Sequence, residues 1–394
     1  MTSISLPSAN GLMTDYVLGE PGRWSRPTAP FNSRIAYAAA PVIPLPLADN
    51  TPGAPAMLDW DATLGYRHQL WSYGLGVADA MDTAQRGMGL DWAATQELIK
   101  RSSVEASSVG GLLACGAGTD QLDIATVPTG KAGVEMVLNA YLEQIGVVAD
   151  SGAGVIVMAS RALAEVATSA EDYLYVYSTL LAEVGQPVIL HWLGNMFDPA
   201  LGGYWGSDDI PTATETFLSL VRDNAAKVGG VKVSLLNAEH ECALRADLAA
   251  LPQKVRMYTG DDFNYPQLID GDGLHHSDAL LGIFAAIYPA ASTALQAYDA
   301  GDPIRGRAIL NCTQELGRHI FSAPTFHYKT GIAFLSWLNG HQAAFSMVGG
   351  LQAGRSVPHL VRTFALADRA SLLLDPELAA HRMTAFLVVN GVGG

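Results

Sequence analysis

Short apolar runs alternate with amphipathic stretches along most of this chain. Arg34 to Ile43, Gly76 to Asp82, Gly111 to Gly116, Val155 to Met158, Pro187 to His191, Val231 to Leu235, Val255 to Tyr258 and Gly273 to His276 each read as a strand. Between them, Asp59 to Tyr73, Asp91 to Ser107, Gly130 to Ile145, Ala170 to Val184, Thr212 to Lys227 and Glu239 to Leu251 read as helices, with Asp91 placed as an N-cap. Such alternation makes βα units and a parallel sheet. Eight units predict an α/β fold, a closed (β/α)8 TIM barrel over residues 33–300. Residues 1–32, rich in Pro, Ser and Gly, are expected to form an irregular N-terminal arm. Residues 301–394 are expected to form a C-terminal helical region packed on the barrel, with an ambiguous Gly-rich stretch at 340–350.

Composition narrows the function. The chain has 394 residues, 49% of them hydrophobic and 15% charged, enough to bury a large core. A net charge of −15 with no basic stripe excludes a nucleic-acid surface, which must neutralise phosphates. The three cysteines, Cys115, Cys242 and Cys312, are too few and too far apart for a disulfide framework or a zinc-binding CxxC pair. They read as small buried hydrophobes in a reducing compartment. The first residues show no basic segment followed by an apolar core, and no uncharged apolar run reaches the roughly 18 residues of a membrane span. A cytoplasmic protein with no membrane partner is expected.

In a (β/α)8 barrel the chemistry lies where strands end. Collecting those ends gives Asp79, Asp82 and Thr83 after the second strand, and Gly116-Ala117-Gly118-Thr119-Asp120 after the third. Ser160 and Arg161 follow the fourth, and His191 ends the fifth. Lys232 and Ser234 lie on the sixth, Tyr258 to Asp262 at the end of the seventh, and His275, His276 and Asp278 at the eighth. So many polar groups at one mouth would be costly without partners or water. Lys232 stands out, because desolvation turns an ammonium into a neutral, nucleophilic amine. Several of the others have structural readings. Asp261 and Asp262 can cap the turn that follows them, and Glu239 suits the start of a helix. His191 can be a satisfied core residue, and Arg161 can pair with an acid as well as with a substrate carboxylate.

Val231-Lys232-Val233-Ser234 resembles the sixth-strand segment of the dihydrodipicolinate synthase / N-acetylneuraminate lyase family of class I aldolases. Thr259-Gly260-Asp261-Asp262 is similar to the family's Ser-Gly-Asp-Asp, and Gly271-Asp272-Gly273 to its Gly-x-Gly before the eighth strand. Pro187-Val188-Ile189-Leu190-His191 is similar to its fifth strand, and Tyr288 through Pro324 to its C-terminal helices. The resemblance implies a barrel with C-terminal helices, Lys232 as the imine-forming residue, and a homo-oligomer, dimer or tetramer. The departures are specific. Asp82-Thr83-Ala84-Gln85-Arg86 stands where the family has the carboxylate-gripping Gly-Thr-Thr-Gly-Glu. Ala159-Ser160-Arg161 stands where it has its relay tyrosine, and His191 replaces the fifth-strand tyrosine. These departures put pyruvate in question and point to a divergent branch.

The expected activity is a Schiff-base lyase, aldolase or dehydratase, on a small carbonyl compound such as a 2-oxo acid or a sugar-derived acid. No cofactor is expected. Lys232 would be the nucleophile. His191, with a pKa near neutral, is the first candidate for proton shuttling, then Tyr258 and His275. Thr83, Asp82, Arg161, Ser234, Asp262 and His275 would hold the substrate. A rival reading gathers Asp79, Asp82, His191, His275 or His276, and Glu239 or Asp262 around a divalent metal. A third is a sensor barrel without catalysis.

Overall fold

The computed structural model describes residues 2–8 and 10–392. Eight parallel strands close into a barrel: Ala36–Ala39, Gly76–Asp79, Leu113–Ala117, Gly154–Val157, Val188–Leu193, Val228–Ser234, Arg256–Thr259 and Asp278–Leu281. A hairpin, Ser3–Pro7 (β1) and Met13–Val17 (β2), precedes them, so the barrel strands are β3 to β10 in chain order. Helices cover the barrel: Trp60–Ser72 (α1), Trp92–Val109 (α2), Lys131–Asp150 (α3), Arg161–Val166 (α4), Ala170–Glu183 (α5), Ile210–Asp223 (α6), Ala238–Ala249 (α7) and Tyr265–Asp270 (α8). Ile283–Asp299 (α9), Pro303–Ile320 (α10), Tyr328–Leu338 (α11), Val357–Arg369 (α12) and Pro376–Val389 (α13) complete the chain. No described helix is long and apolar enough to cross a membrane.

Strand alternation divides the core in two. Val231 and Val233 of β8 face the surrounding helices and join the large outer cluster. Tyr37, Ala39, Ala78, Ala114, Ile156, Tyr258 and Leu280 form a smaller cluster inside the barrel. Asp59 and Asp91 cap α1 and α2, each accepting an N–H three residues on, at 3.0 and 2.8 Å.

Three expectations need correction. The N-terminal arm is partly a hairpin: Ile4 and Leu6 are buried while Ser3 and Ser5 are exposed, a period-two pattern that composition alone hides. It is tied to α12 by Tyr16, whose hydroxyl donates to Asp368 at 2.7 Å. The eighth strand is Asp278–Leu281, not Gly273–His276. Asp272 accepts the N–H groups of Leu274 and His275 at 2.9 and 2.7 Å, so that segment is an Asx-type turn. Finally, only Cys115 is buried; Cys242 and Cys312 are exposed on helices.

Candidate active site

Lys232 lies on β8, in register between His191 of β7 and Tyr258 of β9. Alternation turns it inward, and it is only 8% exposed. It lines a narrow cleft together with Asp82, Thr83, Arg161, Ser234 and Asp262. Among the described residues, no carboxylate lies within 4.0 Å of its ammonium, and it makes no hydrogen bond. Burial lowers its pKa; the charges of Asp82 and Asp262 pull the other way and do not offset that. Gly260 leaves room for this side chain: a Cβ there would sit 2.9 Å from Lys232 Cε and 2.2 Å from Ser234 Oγ.

The loop after β4 forms one wall. Asp79 does not face the cleft. It points outward from the strand and takes Arg67 of α1 in two hydrogen bonds of 2.7 and 2.6 Å, both side chains fully buried. Its Oδ1 also accepts the N–H of Ala80 at 2.8 Å, holding that residue at φ +51°. Gln85, at φ +67°, exchanges hydrogen bonds with the backbone of Val348, while Leu236, at φ +52°, follows β8. Left-handed non-glycine residues cost energy, and here three of them border the same mouth. Arg86 is riveted in place by Asp120, Gln144 and the carbonyls of Ala80 and Gly116.

Asp262 enters from the loop after β9, its Oδ1 accepting the N–H of Ile283 at 2.7 Å. Burial pushes its carboxyl well above the ordinary carboxylate range. Asp261 turns away and caps the same loop through the N–H groups of Phe263 and Asn264, as the capping reading expects. Arg161 pairs with Asp198 and donates to Gly87 O at 3.2 Å, yet still lines the cleft.

The cleft therefore brings together Lys232, Thr83, Asp82, Arg161, Ser234 and Asp262. Three expected members fall outside it. His191 is buried inside the barrel beside Lys232 and does not line the cleft; its Nε2 and Ser234 Oγ share a 3.2 Å hydrogen bond, and among the described residues its Nδ1 has no partner. Burial, then Lys232, holds its pKa well below the ordinary histidine value, so it is a neutral neighbour rather than a shuttle poised near pH 7. Tyr258 packs edge-on against Tyr37 beneath the cleft, its ring beside Gly230, and burial raises its pKa. His275 is exposed in the turn before β10. That strand starts with Asp278, which accepts the N–H of Ile35 at 2.7 Å and pairs with Arg256, so His275 sits at the opposite end of the barrel from the mouth.

The donor set of the metal reading is scattered by the same facts. Asp79 is bound to Arg67, His275 and His276 lie at the far end, and Glu239 is exposed in the first turn of α7. Among the described residues, no three His, Cys, Asp or Glu side chains come together to hold an ion.

The far wall was not foreseen. Phe326, just before α11, and Tyr328 and Lys329, its first two residues, line the cleft, as do Leu193 at the end of β7 and Phe197 beyond it. The hydroxyl of Tyr328 shares a 2.8 Å hydrogen bond with Thr83. Burial raises the Tyr328 pKa well above normal and lowers that of Lys329 to about 8. One signal was present in the sequence: Lys329 is the only charged residue of α11, a helix buried along its whole length. A lone lysine in such a helix needs a reason.

These features define a class: a (β/α)8 barrel with an inward-facing, unpaired lysine on its sixth strand and a C-terminal helical region closing the mouth. The fold is that of the dihydrodipicolinate synthase family. A prophage protein of that family from E. coli K12, YagE, solved in complex with pyruvate, superposes with a TM-score of 0.65 over 86% of this chain and 99% of its own, at 14% identity. A putative dihydrodipicolinate synthetase from Pseudomonas aeruginosa gives 0.62 over 85% and 98%, at 16% identity. Dihydrodipicolinate synthase from Aquifex aeolicus gives 0.63 over 87% and 99%, at 12% identity. No curated protein matches the sequence. The chain belongs to the family described as "Protein of unknown function (DUF993)", which matches residues 4–392.

Proposed function

We propose that this protein is a Schiff-base-forming lyase, an aldolase or dehydratase, acting on a small carbonyl compound such as a 2-oxo acid or a sugar-derived acid. One observation carries this reading: Lys232 is a buried amine that lines a cleft, with no described carboxylate within 4.0 Å of it and burial outweighing the pull of Asp82 and Asp262. A structural lysine would be paired, and a non-catalytic sensor barrel tends to fill its mouth with apolar chains. This cleft keeps hydroxyls, carboxyls and cationic groups among the apolar side chains that line it. The barrels it superposes on include one solved with pyruvate, which is consistent with a small 2-oxo compound as guest.

Neutral Lys232 Nζ attacks the carbonyl carbon, and the carbonyl oxygen takes up a proton as the carbinolamine forms. Loss of water, carrying the former carbonyl oxygen, leaves the iminium. The iminium accepts the electron pair released when a bond to the neighbouring carbon breaks, by C–C cleavage or by loss of a proton ahead of dehydration. Protons must move at each stage. Tyr328, joined to Thr83, and the high-pKa carboxyl of Asp262 line the cleft and would move them. Asp82, Arg161 and Ser234 would hold the substrate.

The test is reduction with borohydride in the presence of a panel of small carbonyl compounds, pyruvate included, followed by peptide mass spectrometry. A reduced adduct on Lys232, absent from Lys232→Ala, is expected. No adduct with any compound, or an adduct that maps elsewhere, refutes the proposal.

A further inference from the structure

We propose that Lys329 is an anion anchor built by the C-terminal region: the compound captured at Lys232 carries an oxyanion, carboxylate or phosphate, which Lys329 binds with Arg161 beside it. The chemistry assigned to Lys232 is assumed here; the binding of the anion is not. Lys329 is 4% exposed and lines the same cleft as Lys232. Of its three N–H donors one reaches a described acceptor, Phe326 O at 3.3 Å. The ammonium also lies 5.0 Å from the ring centre of Phe326 and 4.6 Å from that of Tyr328. No described carboxylate lies within 4.0 Å of it.

A buried ammonium without a counter-charge is costly, so its site is incomplete unless something supplies one. The carboxylates lining the cleft do not. Asp198 is committed to Arg161, and Asp262 is pushed toward its neutral form by burial. Asp82 and, more weakly, Asp198 attract Lys329 while Arg161 repels it; burial outweighs that attraction and brings the lysine down to about 8. Arg161 spends Nε on Asp198 and Nη1 on Gly87 O, leaving Nη2 without a described partner at the edge of the same cleft. A bound oxyanion would accept from both cations and complete the charge balance. It would also sit beside the Tyr328–Thr83 hydroxyls, ordering the substrate between the barrel and α11.

Two measurements on the full chain test this. Acetate and inorganic phosphate are titrated calorimetrically into the wild-type protein, Lys329→Met and Lys329→Arg. At least one anion should bind the wild type, about tenfold or more weakly in the methionine variant, with partial recovery in the arginine variant. Preference for acetate names a carboxylate and preference for phosphate names a phosphoryl group. No binding to wild type, or binding indifferent to Lys329→Met, overturns the anchor. Borohydride trapping then compares glyoxylate and glycolaldehyde phosphate with neutral glycolaldehyde. The ratio of anionic to neutral adduct on Lys232 should exceed one and collapse in Lys329→Met; a ratio near one in wild type counts against the anchor. Failure of every probe to form an adduct counts against the imine reading alone, because the calorimetry still decides the anchor. Lys329→Gln replaces the methionine variant if that one does not fold.

Discussion

Tyr328 and Thr83, 245 positions apart in the chain, share a 2.8 Å hydroxyl–hydroxyl hydrogen bond across the mouth of the barrel. Through it the C-terminal helical region becomes a wall of the cleft rather than an appendage. Gln85, two residues on, adds a second link, donating to Val348 O at 2.8 Å and accepting from Val348 N at 3.2 Å. A reaction in this cleft is therefore shaped by two distant parts of the sequence.

Tyr328→Phe removes the hydroxyl that lies closest to a proton-transfer role without removing the ring, which stacks on Phe321 at 4.3 Å. The variant should still form the borohydride adduct. Without reductant, exchange of the protons next to the carbonyl of a compound shown to form the adduct, followed in deuterated water by NMR, should slow by roughly 10²-fold or more. Exchange at the wild-type rate removes Tyr328 from the mechanism.

Gly260→Ala probes the space around the lysine. The new methyl would meet Ser234 Oγ at 2.2 Å, Val233 O at 2.7 Å and Lys232 Cε at 2.9 Å. One of these is backbone, so β8 and the loop after β9 must move apart. Overpacking of this kind costs about 1–3 kcal/mol, visible in urea denaturation. Adduct formation on Lys232 should drop at least about tenfold, since a displacement near 1 Å is costly to a reacting group. Full trapping in a folded variant would mean that Lys232 is not positioned by this contact.

Glu241 gives a stability prediction independent of catalysis. It is buried between α7 and β9 and accepts from Thr259 at 2.9 Å and Ser277 at 2.7 Å. Burial raises its pKa to about 8, against about 4.3 in an unfolded chain. Between those values the folded protein keeps a proton that the unfolded chain releases. Its contribution is fully present below the unfolded pKa and is lost as pH rises through the folded one, so stability falls across that window. Glu241→Gln should flatten this part of the curve, gaining on the wild type as pH rises from 5 to 8 in chemical denaturation. Parallel curves for the two proteins would show that Glu241 is not held protonated.

The order of apolar runs and helices was sufficient, without any contact information, to predict the closed barrel. Each βα unit carries its own periodicity, and covered parallel strands must be apolar on both faces. The same alternation put Lys232 and Ser234 on one face of β8, and Thr83, Asp82, Arg161 and Asp262 follow strands closely enough to be placed at the mouth. Strand eight escaped because the Asp272 turn imitates a Gly-bounded segment, and moving the strand by a few residues carried His275 to the other end of the barrel. What only the folded chain decided was partnership. Asp79 and Asp82 look alike in sequence, yet outward pairing with Arg67 consumes one while the other lines the cleft. His191 is sealed behind Ser234, and Tyr328 and Lys329 arrive from a helix some 90 residues after β8. Local periodicity fixes which face a residue takes; the meeting of segments far apart in the chain depends on how whole helices pack, and no short window of sequence encodes that.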